Sequence, residues 1–594
     1  METKRLILAI ALSIIVITVY QYFFMPKPAD VPQPQATETV AATQESAPAN
    51  GQAEDSEKSQ DIADILADTE EQVKEEPAPE VEVPGEDIGA EQDRDIKVET
   101  DLFVATFTNR GAGLKSFILK KYKDDMGGPL DLISSGVEKY GYYPFYFSPF
   151  EKQPLLKDLN EALYQFEGTS DIVNVAAGQN IEVTFKFARQ KDNVSVVKKF
   201  IFTGDSYMFR VDVQIVKDGK LVKAPVVFGP DLENNISADR SMQAGLKIGA
   251  YNGDKIEDIE FRKQKFQPTK RVKIDTAQGA LNGFYHWAAY ETTYFASIFR
   301  LDQNDTNVKY YVIRQREEEK KTSLYSYMII SNPGAVYMGP KDEEILSEID
   351  NIFPDINNVV EYGWFGAIAK VLLKGINFVH KFVPNWGWAI VIFTLFLKII
   401  LFPLTYSSSV SMARMQTMQP KMKAIKKKYK NQKDPEQRRL MNQEMMELYK
   451  TEKINPMGGC LPMLLQLPIL FGLFRLLAVS ISVRHEPWIL WITDLSIKDP
   501  YYILPVLMGI TQIIVQKMTP SSGDATQQKM MYIMPVIIVI FVINLPSGLT
   551  LYWFVSNLLQ IGQQRIINEK IYSKKKAEDR ELKALKRKKG SKKR

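Results

Sequence analysis

The run NWGWAIVIFTLFLKIILFPLT, residues 385–405, decides the architecture, because about 20 apolar residues are enough to cross the core of a bilayer. Between its ends, only Thr394 and Lys398 interrupt the apolar character, and their four-residue spacing puts them on one helix face. A buried cation costs about 2.5–3.5 kcal/mol, so intramembrane lysines usually face a bundle interior or a wet cavity. Two interpretations stay open: Lys398 is a functional cation, or it snorkels to the cytoplasmic interface.

Composition divides the 594-residue chain into acidic, mixed and apolar parts, a division that the net charge of +4 hides. The single cysteine, Cys460, excludes a disulfide framework. The three histidines lack metal-ligand spacing, and the chain contains neither a GxxxxGK[ST] run nor a GxSxG turn. We therefore expect no enzyme active site, no metal and no cofactor.

The N-terminal region predicts an anchor and a tether. Lys4 and Arg5 precede an apolar run that ends in aromatic residues without a small-x-small cleavage site, which predicts an uncleaved membrane anchor over residues 1–25 with a cytoplasmic N-terminus. A cleaved signal peptide is the alternative. Residues 26–95 contain 20 acidic and 4 basic residues, so we predict a disordered acidic linker outside the membrane.

Alternating apolar and polar residues characterise the next part of the chain. Residues 102–107, 181–187 and 308–313 have the period of two that is typical of strands, and turn residues separate such runs. The pattern predicts an all-β sandwich over residues 96–350. A sugar-binding or enzymatic role is compatible with such a fold, but no carboxylate pair or histidine cluster stands out.

Residues 361–383 have apolar residues at three- and four-residue steps and lysines on the opposite face. This pattern predicts an amphipathic helix that lies in the outer membrane interface. In the rival interpretation the segment itself crosses the membrane. That arrangement would put the basic residues 406–456 outside, against the positive-inside rule.

Residues 406–456 carry 12 Lys or Arg against 5 Asp or Glu, which predicts a cytoplasmic location, and their spacing predicts a helical hairpin. Six methionines recur on its two helices: Met412, Met415, Met418, Met422, Met441 and Met445. They either form the seam of the hairpin or offer an adaptable surface to apolar clients.

Four further apolar segments follow, at residues 458–481, 501–518, 529–544 and 549–566. With residues 385–405 they predict a five-span core over residues 385–566, and the anchor makes six transmembrane helices. The five spans contain no Asp or Glu and no duplicated halves, which argues against a carboxylate relay or a typical transporter. We predict a wet, positively charged groove lined by Thr394, Lys398, Gln466, Gln512, Tyr552, Trp553, Ser556 and Asn557.

The C-terminal residues 565–594 carry 14 Lys or Arg against 4 acids, which predicts a cytoplasmic C-terminus. The tail, residues 567–594, is suited to anionic lipid. It is equally suited to the RNA phosphates of a ribosome, an attraction that does not depend on nucleic-acid sequence.

Several motifs resemble those of the YidC membrane-protein insertase family: Asn385-Trp386-Gly387, Pro403-Leu404-Thr405, Asn455 to Pro462, Asp499 to Pro505, and Pro546-Ser547-Gly548 through Tyr552 with Ser556-Asn557. The β-sandwich resembles the supersandwich periplasmic domain of the Gram-negative branch. The resemblance implies insertion and folding of nascent inner-membrane proteins, alone or beside the Sec translocon. It also implies a multi-pass protein with residues 26–384 in the periplasm and both termini in the cytoplasm.

One residue departs from the family pattern. The resemblance implies an arginine as the groove cation, whereas this chain has Lys398, which lacks the bidentate fork of a guanidinium. Three functions remain for the sequence: an ATP-independent insertase, a small-solute or ion permease, and a passive scaffold for the assembly of membrane complexes.

Overall fold

The computed structural model divides the chain into two compact units, a β unit that ends at Glu361 and a helical unit that contains Tyr362–Ala478 and Ser482–Arg594. The predicted anchor and residues 26–84 of the predicted linker lie outside the described residues. The structure describes residues 85–133, 137, 141–151, 153–230, 232–233, 246–261, 278–301, 307–316, 322–331, 333–429, 434–452, 461–519 and 525–591.

The β unit is built from strands, as the alternating pattern predicts. The described strands are β1 (Asp95–Glu99), β2 (Phe103–Thr108), β3 (Gly113–Lys123), β4 (Pro129–Asp131), β5 (Gln165–Phe166), β6 (Ile172–Asn174), β7 (Asn180–Arg189), β8 (Val194–Thr203), β9 (Met208–Lys217), β10 (Lys220–Leu221), β11 (Val226–Phe228), β12 (Leu246–Tyr251), β13 (Ile256–Phe261), β14 (Gln278–Asn282), β15 (Trp287–Glu291), β16 (Phe295–Arg300), β17 (Asn307–Arg316), β18 (Thr322–Ile330) and β19 (Ala335–Pro340). One helix, α1 (Pro154–Glu161), lies between β4 and β5.

These strands form three sheets. A ten-stranded sheet has the order β13-β12-β15-β16-β19-β9-β8-β7-β5, with β10 paired to β9. A five-stranded sheet has the order β4-β3-β2-β1-β6, and a four-stranded sheet the order β11-β18-β17-β14. Neighbouring strands run antiparallel, as in the β7–β8 pair from Asn180 opposite Thr203 to Arg189 opposite Val194, whereas β1 and β6 run parallel.

Phenylalanine side chains fill the space between the sheets. Phe107 of β2 contacts Phe200 of β8 with ring centroids 4.5 Å apart, which joins the five-stranded sheet to the ten-stranded one. Phe228 of β11 contacts Phe299 of β16 at 5.0 Å, which joins the four-stranded sheet to the same partner. Because these side chains are fully buried or nearly so, they supply much of the hydrophobic stabilisation of the unit.

The segment after β19 packs onto the sandwich instead of leaving it. It begins with the short helix α2 (Glu343–Ser347), which Asp342 caps. The indole Nε1 of Trp287 donates to the carbonyl of Pro354 at 2.8 Å, and Lys247 forms an ion pair with Glu361 at 2.5 Å. The β unit therefore continues to Glu361, about ten residues beyond the predicted end at 350.

The helical unit contains the helices α3 (Gly366–His380), α4 (Trp386–Lys428), α5 (Pro435–Thr451), α6 (Leu461–Val479), α7 (Ile503–Met518), α8 (Ala525–Val542) and α9 (Ser547–Ser591). Within the described residues, α4 alone is long and apolar enough to span a membrane by length and composition. Residues Gln466–Val479, Ile503–Met518 and Ile533–Val542 form shorter apolar helices. The arrangement of six transmembrane helices therefore stays a prediction.

Two helices are longer than the sequence pattern predicts. The span 385–405 and the first helix of the hairpin form one continuous helix of 43 residues, α4, with Pro403 and Pro420 inside it. No glycine occurs between Trp388 and Lys428, and the freed carbonyls near a proline do not stop a helix that neighbouring groups support. In the same way, α9 joins the last predicted span to the basic tail and ends at Ser591.

Helix α3 begins and ends within the predicted interfacial segment. Its apolar residues Leu372 and Ile376 are buried within the helical unit, and a Cβ at Gly375 would collide with the ring of Phe393 on α4. The face that stays open carries Val371 and Phe378, which are 69% and 64% exposed. The apolar stripe therefore packs on protein, and other apolar side chains remain for a lipid interface.

A loop over residues 482–502 clamps the ends of three helices. Asn385 accepts a hydrogen bond from the backbone of Trp388, which caps α4, and donates to the carbonyl of Pro487 at 3.0 Å. A Cβ at position 387 would collide with Trp488, so Gly387 permits this close approach. The Asn-Trp-Gly motif is thus explained by packing.

The same loop holds the first turn of α9 and caps α7. The Ser547 hydroxyl donates to the carbonyl of Asp494 at 2.9 Å, and the Gly548 N–H donates to the carbonyl of Leu495 at 2.9 Å. The carboxylate of Asp499 accepts from the indole of Trp491 at 3.1 Å and from the backbone of Leu504 at 2.7 Å. This clamp sets the relative positions of α4, α7 and α9.

Candidate functional site

Lys398 lies where α4 meets α9, about 18 Å along the axis from the start of α4. Its side chain is half-buried, and Nζ donates a hydrogen bond to Oε1 of Gln560 at 3.0 Å. One turn further along α9, Nε2 of Gln563 donates to the backbone carbonyl of Lys398 at 3.0 Å. Amides of α9 therefore hold both the head group and the backbone of this lysine.

The partner of Lys398 is neutral. None of the described residues offers it a carboxylate within ion-pair distance, and residues 385–405 and 549–566 contain no Asp or Glu. An amide oxygen takes up one donor of the ammonium but none of its charge. In surroundings of low dielectric constant, such a cation retains a strong attraction for an incoming anion.

Thr394 lies one turn before Lys398, and its side chain is completely buried. Its hydroxyl donates to the carbonyl of Ile390 on its own helix at 2.6 Å. The hydrogen-bond donor of Thr394 is thus satisfied within α4. Of the two residues in the predicted polar stripe, Lys398 is the one that offers a polar group at this depth.

Two predicted residues of α9 connect that helix to α6 and α7. Ser556 is fully buried, and Nε2 of Gln466 donates to its hydroxyl at 3.4 Å. The amide nitrogen of Asn557 donates to the carbonyl of Met508 at 3.2 Å and to the hydroxyl of Thr511 at 3.3 Å. The structure therefore brings Gln466, Ser556 and Asn557 together as contacts between helices.

The other predicted groove residues have different surroundings. Tyr552 is almost completely buried, and Trp553 is half-buried on the same helix. Gln512 is half-buried on α7, and its amide forms no hydrogen bond with any residue that the structure describes. The Gln512 amide and the Trp553 indole N–H are therefore polar groups without a hydrogen-bond partner among the described residues.

Sequence reasoning missed four residues of α9 that we call the amide ladder: Gln560, Gln563, Gln564 and Asn568. Gln564 is fully buried, 3.4 Å from the hydroxyl of Ser409, and it donates to Asn568 at 2.9 Å. Asn568 in turn donates to the carbonyl of Met518 at 3.0 Å. The signal was present, because Ser556, Gln560, Gln563 and Gln564 recur at helical spacing on one face.

Similarity to known proteins agrees with this architecture. The family model for the 60Kd inner membrane protein matches residues 378–575, and the model for the YidC periplasmic domain matches residues 95–374. The membrane protein insertase YidC of Citrifermentans bemidjiense is 36% identical over 80% of this chain and 86% of its own length. This chain belongs to the YidC family.

Two further comparisons extend over most of the chain. The YidC protein of Geobacter metallireducens is 33% identical over 96% of this chain and 98% of its own length. A crystal structure titled as an active YidC insertase with the first transmembrane domain resolved covers 85% of this chain and 98% of its own, with 20% identity and a TM-score of 0.32.

The two family matches divide the chain close to the boundary between the two units. The YidC periplasmic match begins at the first residue of β1 and ends within α3. The other match contains Lys398, the hairpin and the whole amide ladder. The candidate site therefore lies in the part of the chain that matches the family of the 60Kd inner membrane protein.

The methionines of the hairpin are mostly covered. Helices α4 and α5 are joined by ion pairs from Lys421 to Glu452 at 2.6 Å and from Lys428 to Glu444 at 2.9 Å, and the Tyr449 hydroxyl lies 3.9 Å from the sulfur of Met422. Met415 is buried, and the five other predicted methionines are half-buried. This burial favours the seam interpretation, and a client surface at the hairpin stays a prediction.

The described residues contain no group of three or more His, Cys, Asp or Glu side chains that could hold a metal ion. The chemistry of the site therefore consists of an ammonium, amides and hydroxyls. Such groups bind and orient polar segments.

Proposed function

We propose that this chain is a membrane-protein insertase, which helps nascent proteins to enter and fold in the inner membrane without a nucleotide. The observation that carries the proposal is Lys398, a half-buried cation on an apolar helix whose hydrogen-bond partner is a neutral amide. The names of the similar proteins support the same function.

Moving a polar tail across a bilayer removes its hydration and is therefore costly. A charged side chain in the hydrocarbon core costs about 2.5–3.5 kcal/mol or more. A groove that supplies a cation, buried amides and water replaces part of the hydration that an acidic tail loses. Since Lys398 carries no internal counter-charge, its attraction is available to a client carboxylate.

Large apolar side chains on the outer faces of the helices support a membrane location. On α4, Ile399 and Ile400 are 58% and 72% exposed, and on α8 Ile540 is 67% exposed. A soluble protein rarely exposes such contiguous apolar area, whereas a lipid-facing helix requires it. We infer a multi-pass inner-membrane protein with six spans, both termini in the cytoplasm and residues 26–384 in the periplasm.

The partners that we propose are nascent membrane proteins, the Sec translocon, the ribosome and anionic lipid. The basic tail supports the last two. If it binds ribosomal RNA, deletion of residues 570–594 weakens co-sedimentation with ribosomes and lowers its salt dependence, because fewer counterions are released. Unchanged binding with an unchanged salt slope leaves lipid as the partner of the tail.

Reconstitution into liposomes tests the function. The purified chain is incorporated into vesicles without nucleotide and is given a short single-span client whose external tail is acidic. Protease-protected client above the level of empty vesicles supports the insertase. A flux of small solutes or ions without protected client would indicate the permease, and neither signal would indicate the passive scaffold.

A further inference from the structure

Lys398 and Gln560 are held together in a way that gives the glutamine a role of its own. A lysine ammonium has three donors at the end of a flexible stem, and its direction is not fixed by its own shape. The Gln560 amide oxygen, 3.0 Å away, occupies one of these donors. No described side chain hydrogen-bonds to the other two.

A second glutamine on α9, Gln563, supports the contact between Lys398 and Gln560. Gln563 donates to the backbone carbonyl of Lys398, which ties the two helices together one turn from Gln560. The amide oxygen of Gln563 is buried and accepts no hydrogen bond from any described residue. Buried acceptors in folded proteins are normally satisfied, so this oxygen lacks the donor that a ligand would supply.

We infer that Gln560 is the positioning residue for Lys398: it takes up one ammonium donor and directs the other two, together with the free oxygen of Gln563, at the acidic tail of a client. This inference rests on the proposed insertase function and adds the groups that give the groove its preference for acidic tails. The carboxylate of the client accepts from Lys398, while an N–H of its backbone donates to Gln563.

The importance of Gln560 depends on whether position 398 carries a lysine or an arginine. A guanidinium presents five donors in a rigid planar fork, so it needs no neighbour to direct it. A lysine at this position depends on Gln560, whereas an arginine there does not. The effect of changing Gln560 is therefore coupled to the residue at position 398.

The preference for acidic tails is measured with two matched client peptides. They are single-span peptides that differ only in the external tail, which carries two aspartates in one and two asparagines in the other. The readout is the ratio of protected acidic client to protected neutral client, with the full chain in liposomes. The neutral client also reports whether each variant folds, because loss of folding lowers both signals and leaves the ratio unchanged.

Gln560→Leu should lower the ratio several-fold, and Gln560→Glu should lower it about tenfold, because a carboxylate at 560 neutralises the cation. The double variant Lys398→Arg with Gln560→Leu should restore the ratio. Gln516→Glu on α7 is the matched control for added charge, and it should leave the ratio at the wild-type value.

Any of three results would overturn the inference. These are an unchanged ratio in both Gln560 variants while they protect the neutral client at the wild-type level, a loss in Gln560→Leu that Lys398→Arg does not restore, and an equal loss in Gln516→Glu. If the wild-type chain protects neither client, the proposed function itself fails. That outcome is distinct, because the inference predicts differences between variants of an active chain.

Discussion

The β unit and the helical unit each contain a lysine that has no carboxylate partner among the described residues. The surroundings of the two lysines differ. Lys198 on β8 is fully buried, and its Nζ donates to the carbonyls of Gly111 and Phe145, both at 2.7 Å, above the ring of Phe147 at 4.3 Å. Lys398 is half-buried and has one amide oxygen as its side-chain partner.

The difference lies in how completely each ammonium is satisfied. Fixed backbone carbonyls and an aromatic face surround Lys198, so no position remains for a ligand, and the lysine joins β8 to two loops. At Lys398 two donors stay available and the neighbours are side chains that can move. A buried cation is therefore structural where rigid acceptors enclose it, and it is a candidate for binding where they do not.

Removing the enclosed lysine should have the largest effect. Lys198→Ala leaves two buried carbonyls without a donor and creates a cavity, so at alkaline pH, where the buried amine is neutral, we expect the free energy of unfolding of the β unit to fall by about 3–5 kcal/mol. Hydrogen exchange of the β8 amides in the full chain measures the change.

The neighbouring residue of the same strand is the control for this prediction. Lys199 is partly exposed and pairs with Glu182 at 3.3 Å on the surface. Lys199→Ala should cost about 0.5 kcal/mol or less. Equal effects of the two substitutions would contradict the structural role of Lys198.

Removing the open lysine should change activity and leave folding intact. Lys398→Ala should lower the insertion of acidic-tailed clients about tenfold, Lys398→Glu should lower it further, and Lys398→Arg should retain it. Protected client is measured after cysteine labelling has confirmed that the hairpin lies on the same side of the membrane as in the wild-type chain. If the lysine only snorkels, all three variants remain active and Lys398→Ala is the most stable.

The enclosed lysine should also make the stability of the β unit depend on pH. Burial lowers the pKa of Lys198 from 10.5 to about 7. Between these two values the unfolded chain binds a proton that the folded chain releases, so stability should rise with pH by at most about 1.4 kcal/mol per unit. Below a pH of about 7, Lys198 is protonated in the folded chain as well, and the buried charge destabilises the β unit by its full amount.

The comparison of wild type with Lys198→Met isolates this contribution from other titrating groups. The difference in unfolding free energy, followed by hydrogen exchange from neutral pH upward, should change in that window. A parallel pH dependence of the two proteins would show that Lys198 stays protonated in the folded chain.

Removing the β unit should have the smallest effect on insertion. Because Lys398 and the amide ladder lie in the helical unit, excision of residues 96–361 should change client protection by less than about twofold. Excision of residues 96–340 is the contrasting variant, since it leaves Ile352 and Phe353 without the sandwich that buries them. If a stably expressed variant that lacks residues 96–361 loses insertion completely, part of the activity belongs to the β unit.

The periodic patterns in the sequence predicted which helices and strands form, but not where each of them ends. The alternation at 181–187 predicted β7, and the apolar run after Asn385 predicted the start of α4 at its cap. The sequence did not predict that the span and the first helix of the hairpin form one continuous helix, because Pro403 and the serines after it weaken a helix only when no neighbour supports it. The packing of residues 341–361 on the sandwich left no local signal.

The candidate site divides in the same way. Lys398 was identified from sequence because a charge in an apolar span is costly wherever the helix lies. Gln560 was not, because a glutamine near the end of a span is ordinary until a partner is known. The roles of Gly387 and Ser547 were likewise hidden, since each depends on the loop at residues 482–502.

The sequence by itself determined that this chain has a β-rich part and an apolar helical part with one cation in a long span, because burial and periodicity are properties of neighbouring residues. Only the tertiary structure decided that Lys398 meets Gln560 and that Lys198 is enclosed by backbone carbonyls. The partners are 162 and 87 residues away, and contacts over such separations depend on how whole elements pack.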